Sequence, residues 1–370
     1  MKIIFSDNSL RSLINFRGDC LAALNRDGHV IISITPKGEK YDLPEAYSFV
    51  KSYTVPVDAQ KTNPLSDFGY MLALRRIYKK EKPDYIFHYT IKPNIYGTLA
   101  AKSLGIGSTA MVAGLGYMFS SNSLMHRAVQ ILYKLALKFT DNVLVLNRAN
   151  NDLLVEKKIA DPSKIILLKG GEGVNLIQFP ELPMPNNTKP IFLMIARVLY
   201  DKGYSEFVAV AKKYHNEAEF RLIGSIDNNP AAVPESIIRE DHSNGYITYI
   251  GFTNNVISHL SQSDCIVLPS YYYEGLSRSL MEGLACGRPL VTTNFPGCRE
   301  TIDDGVNGYL VEVKSEQSLI SAIGNFIALT PSEKIEMGKA SRKKAEKEFD
   351  IESVISLYRS LLKKHDLLFL

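Results

Sequence analysis

The stretch that decides the fold is Pro269-Ser270-Tyr271-Tyr272-Tyr273-Glu274-Gly275-Leu276-Ser277-Arg278-Ser279-Leu280-Met281-Glu282-Gly283-Leu284-Ala285-Cys286-Gly287. It follows the apolar run Cys265-Ile266-Val267-Leu268, the kind of strand that a parallel sheet buries on both faces. The chain then turns through Glu274-Gly275 and enters a helix with the apolar face Leu280, Met281, Leu284 and Ala285. Gly287 and Pro289 supply the stop. A strand, a tight turn and a helix opening gather unpaired backbone N–H groups and a partial positive charge at one point, which suits phosphate. Two carboxylates bracket that point, Glu274 in the turn and Glu282 about two helical turns on. Ionised carboxylates only accept hydrogen bonds, so they serve hydroxyls rather than phosphates. The pair suits a sugar nucleotide, with Glu274 toward the sugar and Glu282 toward the ribose.

Outward from this stretch, strands and helices alternate as in a parallel α/β sheet. In the second half, residues 190–196, 220–223, 247–249, 265–269, 289–293 and 305–310 read as strands or turn–strand units. Helices are expected over 204–214 and 256–262, after Gly297, and from Lys314 onward. The first half repeats the pattern, with strands at 3–6, 30–35, 47–55, 84–88, 108–113, 142–146 and 165–168. Its helices are expected at 15–25, 64–81, about 94–104 and 123–139. The Pro-rich stretch Phe179-Pro180-Glu181-Leu182-Pro183-Met184-Pro185 reads as the boundary. The expected fold is α/β, two Rossmann-like domains facing across a cleft. The expected limits are 1–183, 184–352 and a closing helix at 353–370 that packs back toward the first domain.

A length of 370 residues suits two cores, and 45% apolar content is ordinary for a globular protein. Cys20, Cys265, Cys286 and Cys298 show neither C-x-x-C spacing nor a His cluster, which points to reduced thiols and away from zinc. The opening residues do not read as a signal peptide, and no stretch has the length of a membrane span. The formal charge is uneven, 23 Lys and Arg against 15 Asp and Glu over residues 1–180, and 20 against 24 thereafter. A basic first half suits an anionic surface or substrate as well as it suits plain solvation. The basic residues lack interleaved aromatics, so no nucleic acid partner is expected. The helix at 123–139 sets Leu124, Ile131, Leu132, Leu135 and Leu137 beside Arg127, Lys134 and Lys138. Such a helix either rests on an anionic bilayer or turns its apolar stripe into a core.

Arg197 and Lys202 stand just beyond the strand at 190–196, where ligands meet open parallel sheets. Two cations there would neutralise a diphosphate and the charge it gains as a bonded group departs. The Gly275-Leu276 amides would add donors.

Together these features resemble the retaining glycosyltransferases of family 4. Glu274 and Glu282 match that family's Glu-x7-Glu motif, and Ala196-Arg197 through Lys202-Gly203 match its diphosphate-binding Arg and Lys. Gly173-Val174-Asn175 resembles its Gly-Val-Asp/Asn turn. The runs Gly297-Cys298-Arg299-Glu300 and Asp304-Gly305-Val306-Asn307-Gly308-Tyr309-Leu310-Val311 resemble its C-terminal pattern. Lys92-Pro93-Asn94 with Gly114-Leu115-Gly116 resembles members that extend lipid-linked bacterial surface sugars.

The resemblance implies transfer, with retention, of a hexose or N-acetylhexosamine from a nucleoside-diphosphate sugar. UDP is the family's usual carrier. The implied acceptor is a polyprenyl-diphosphate-linked saccharide in bacterial surface polysaccharide or glycan biosynthesis. Glu274, Arg197 and Lys202 would carry catalysis, and Glu282, Gly275, Leu276, Arg197 and Lys202 would hold the donor. No cofactor is expected, and with no Asp-x-Asp signature in place no metal either. A cytoplasmic location follows, with the inner face of the membrane and peripheral contact with anionic lipid as candidates. Two departures stand in the first half: Ser9-Leu10-Arg11 replaces a Gly-Gly loop, and Gly114-Leu115-Gly116-Tyr117 stands where many members carry a His. Arg17, His88 and Lys92 are the acceptor-side candidates in their place, although a lone His at a strand end also serves as a structural residue. A nucleotide-sugar 2-epimerase of the same architecture, needing several cleft acids and a His, is an alternative. A catalytically silent scaffold in a polysaccharide assembly complex is another.

Overall fold

A computed structural model describes residues 1–39, 41–57, 63–115, 124–226, 231–273 and 275–367. Glu274, Gly116, Tyr117 and Ser123 lie outside the described residues. The chain forms two compact units, Met1–Glu172 with Ile351–Leu370, and Gly173–Asp350.

In the first unit, β1 (Lys2–Ser6), β2 (Val30–Pro36), β3 (Lys51–Val55), β4 (Tyr85–Tyr89), β5 (Gly107–Val112), β6 (Asn142–Val145) and β7 (Ile165–Leu167) make one parallel sheet. Its order is β3-β2-β1-β4-β5-β6-β7. The connections are α1 (Leu10–Arg26), α2 (Pro64–Glu81), α3 (Thr98–Lys102), α4 (Leu124–Lys138) and α5 (Arg148–Glu156). α1 opens earlier than expected, because Ser9 caps it by accepting from the Ser12 amide and Leu10, Leu13 and Ile14 extend its buried stripe. The Glu39 carboxylate adds bonds from the Leu10 amide at 2.5 Å and the Ser9 hydroxyl at 2.7 Å, so an acid occupies the positive end of that helix. The third strand is shorter than expected because residues Glu45–Tyr47 form a 3-10 turn. A π-helical turn, Pro93–Gly97, precedes α3.

The second unit repeats the architecture with β8 (Ile191–Ile195), β9 (Glu219–Ile223), β10 (Thr248–Gly251), β11 (Cys265–Leu268), β12 (Leu290–Thr293) and β13 (Gly308–Val311). The sheet order is β10-β9-β8-β11-β12-β13, all parallel. Its helices are α6 (Tyr204–Tyr214), α7 (Glu235–Ser243), α8 (Val256–Gln262), α9 (Arg278–Ala285), α10 (Glu316–Ala328) and α11 (Pro331–Lys344). After Gly297 the chain makes only a short 3-10 turn, Arg299–Thr301, rather than the expected helix. The core gathers Phe192, Phe207, Phe220 and Phe326 on one side, and Ile266, Leu280 and Leu284 under α9.

The Pro-rich stretch expected as the boundary belongs to the second unit. The Leu182 amide donates to the Cys286 carbonyl at 3.3 Å, and Arg288 Nη2 donates to the Pro183 carbonyl at 2.7 Å. The division falls just upstream, beside Gly171 and Gly173, whose positive φ of 60° and 74° suits glycine. α12 (Ile351–Leu367) returns to the first unit. Its Tyr358 ring stacks on Phe87 with centroids 4.7 Å apart, and its hydroxyl pairs with that of Tyr89 at 2.8 Å. All four cysteines are free and buried. Among the described residues no helix is long and apolar enough to cross a membrane.

Candidate functional site

In the second unit the winding reverses between β8 and β11, which are neighbours although three strands apart in number. Loops leaving the carboxyl ends of such a pair diverge, and ligands of open α/β sheets bind there. The loop after β8 makes a 3-10 turn, Tyr200–Lys202, and ends at Gly203 with φ of 84°. A Cβ at Gly203 would stand 2.3 Å from the Pro269 carbonyl oxygen, so only glycine lets this loop press against the chain leaving β11. The two loops are bonded: the Tyr271 amide donates to the Asp201 carbonyl at 2.9 Å, and the Ser270 hydroxyl does so at 3.3 Å.

That junction brings Arg197 and Lys202 to one aromatic ring. The Arg197 guanidinium lies 5.5 Å and the Lys202 ammonium 4.8 Å from the centroid of Tyr272, within range of cation–π attraction. Arg197 is exposed, whereas Lys202 is only 8% exposed. Burial pushes Lys202 down to about 7; Cys298 and Asp201 pull upward against it, and Arg197 adds to the lowering.

α9 opens at Arg278, with Ser277 as its N-cap, later than expected. Gly275 and Leu276 therefore sit in the turn before the helix, both buried, and the Ser277 amide donates to the Gly297 carbonyl at 2.8 Å. Glu282 lies one turn into α9 and accepts from Arg278 Nε at 2.8 Å. Its side chain is 12% exposed, and burial raises its pKa while Arg278 opposes the rise. The site thus has a cationic part beyond the carboxyl ends of the central strands and a held acid on the helix.

The first unit reverses its winding between β1 and β4, and its expected acceptor residues need correction. Arg17 is 3% exposed. It pairs with Asp7 at 3.4 Å and with Glu172, and it stacks over the Tyr89 ring at 4.4 Å. Two carboxylates answer its charge from within, so it does not present a cation to an anionic acceptor. His88 is fully buried in β4, packed against Gly97 and Tyr78, and burial pushes its pKa to about 3. It is a neutral core side chain, out of reach of a ligand. Lys92 donates to Asp67 at 2.5 Å, and Asp67 also accepts from Tyr96.

The sequence reading missed three residues. Tyr272 gathers the cations, yet its run of tyrosines reads as part of the turn. Arg278 was legible, since an i, i+4 partner for Glu282 follows from helical spacing. Thr90, just after β4, takes a left-handed φ of 66°, a strained conformation for a β-branched residue and one concentrated at functional sites.

The chain is similar to glycosyltransferases along most of its length. Residues 180–344 match the family model described as glycosyl transferases group 1, and residues 3–147 match glycosyl transferase 4-like. The chain is 29% identical over 340 residues to N,N'-diacetylbacillosaminyl-diphospho-undecaprenol alpha-1,3-N-acetylgalactosaminyltransferase of Campylobacter jejuni, covering 87% of this chain and 88% of that protein. It is 24% identical over 305 residues to the Escherichia coli UDP-Gal:alpha-D-GlcNAc-diphosphoundecaprenol alpha-1,3-galactosyltransferase, 74% of each. Among solved structures, a glycosyltransferase from Rickettsia africae superposes with a TM-score of 0.80 at 21% identity, covering 98% of both chains.

Proposed function

The chain belongs to the glycosyltransferases, with a group 1 second domain and a 4-like first domain, and from that premise we propose its reaction. It transfers a hexose or N-acetylhexosamine, with retention, from a UDP-sugar to a saccharide carried on a polyprenyl diphosphate. The observation that carries this reading is the pair Arg197 and Lys202, joined through Tyr272 at the strand reversal of the second sheet. Two cations in one place, one of them mostly out of water, suit a diphosphate whose charge grows as the sugar departs. The names of the two relatives, both acting on undecaprenyl-diphosphate-linked sugars, support the acceptor.

In this reading Arg197 and Lys202 grip the diphosphate, with amide donors from Gly275-Leu276. Glu282, oriented by Arg278, accepts from the ribose hydroxyls. Glu274 holds the transferred sugar, and the departing phosphate assists attack on the same face. The reaction needs no metal, so chelator leaves the rate unchanged. An acceptor on a lipid places the work at a membrane surface, the inner cytoplasmic face in this reading. The test is a panel of nucleotide sugars incubated with an undecaprenyl-diphosphate-linked disaccharide. Transfer from a UDP-sugar, with the anomeric configuration kept, is expected; product formed from the donor alone would overturn the reading in favour of epimerisation.

A further inference from the structure

α4 carries two apolar stripes, and only one is used inside the protein. Tyr133, Ala136 and Leu137 are buried against β5 and β6 neighbours such as Val112 and Val143. Ile131 and Leu135, one turn apart, face outward and are 68% and 45% exposed. Together with Val155 of α5, 38% exposed, they line an open groove of about 640 Å³. Lys134 and Lys138 of α4 and Lys158 beyond α5 stand along the same groove, all exposed. One acid, Asp161, also borders it, and its carboxylate is taken by the Ser163 amide at 2.9 Å and hydroxyl at 2.8 Å. The helix thus buries one apolar stripe in the core and leaves the other at the surface.

An apolar trough walled by cations has the chemistry of an anionic membrane surface. The trough accepts hydrocarbon and the ammonium groups meet phosphate in the headgroup layer, with the lysine stems lying along apolar surface. We propose that the α4–α5 groove docks the protein on an acidic phospholipid leaflet, taking a hydrocarbon chain from it between Ile131, Leu135 and Val155. This deepens the reading of a lipid-carried acceptor, yet vesicle binding is measured without any transfer.

The test is co-sedimentation of the full chain with vesicles of phosphatidylglycerol and of phosphatidylcholine. Binding to the anionic vesicles is expected, weakening as salt rises. Lys134→Gln and Lys138→Gln are each expected to lower it about fivefold, near the effect of one basic residue at such a surface. The double variant Ile131→Asp with Leu135→Asp is expected to lower it roughly tenfold or more while keeping its helical circular dichroism, because both side chains face outward rather than into the core. Transfer to a water-soluble, short-tailed acceptor is expected to be unchanged in that variant. Equal binding to both vesicle types, or undiminished binding by the double variant, would overturn the docking site. Failure of transfer with normal vesicle binding would instead count against the proposed reaction.

Discussion

Lys202 carries two opposite pH dependences. Its folded pKa of about 7 lies below the usual lysine value of roughly 10.4, so between these limits the unfolded chain binds the extra proton. Its contribution to stability therefore rises with pH across that window. Ligand binding runs the other way, because a diphosphate favours the ammonium form and draws in a proton. UDP affinity is expected to fall as pH is raised from about 7 to about 9, with proton uptake visible in calorimetry as a dependence on buffer ionisation heat. Lys202→Met should flatten both trends and weaken UDP binding roughly ten- to a hundredfold, the worth of a charged hydrogen bond. Tyr272→Leu should weaken it about three- to thirtyfold through lost cation–π attraction, with Tyr272→Phe restoring most of it. Residues at this scale were only partly legible in the sequence. Arg197 and Lys202 were placed by their distance past a strand, and both do lie in the loop that leaves β8. Arg17 and His88 misled, because a side chain's spacing does not reveal whether distant residues such as Glu172 or Gly97 close over it.

At the scale of elements, the meeting of the loops after β8 and β11 depends on Gly203. Gly203→Ala combines a left-handed backbone with a Cβ 2.3 Å from the Pro269 oxygen, and is expected to cost roughly 2–4 kcal/mol in urea unfolding. An unchanged transition would show that the two loops do not need their close approach. The α1 opening offers a milder case: Glu39→Gln should lose about 0.3–1 kcal/mol, since the amide keeps hydrogen-bonding capacity but not the charge at the helix end. Long periodic elements were legible, and α2, α6 and α8 fall on the expected residues. α5 and α7 were not anticipated, because nine-residue helices interrupted by polar runs, such as Asn150-Asn151-Asp152 and Arg239-Glu240-Asp241, read as loop. Both are marked by local signals, Asn147 as N-cap of the first and Pro234 before the second. The helix expected after Gly297 failed for the opposite reason, since Ile302 returns to extended backbone after three residues.

At the scale of the molecule, the doubled strand–helix alternation was readable because strands such as β1, β8 and β11 are apolar runs covered on both faces. The exact place of the division was not, since prolines that look like a linker are stitched to Cys286 and Arg288 by bonds over a hundred residues long in sequence. α12 contributes Ile351, Val354, Ile355, Tyr358, Leu361 and Leu362 to the first unit's core. At about 1.5–3 kcal/mol for each buried large apolar side chain, removing residues 351–370 takes away more than a marginal domain's stability. A chain of residues 1–172 is expected to be insoluble or molten by near-ultraviolet dichroism, and adding a peptide of residues 351–370 should restore its fixed aromatic signal. The same arrangement dictates an order of assembly. On the ribosome the whole of the contiguous second unit is synthesised before α12, and the Phe87 and Tyr89 face must wait for that helix. At roughly 5–20 residues per second, synthesis of the intervening segment leaves that aromatic face uncovered for about 10–40 s. The earlier-born half of this enzyme is thus the later to mature.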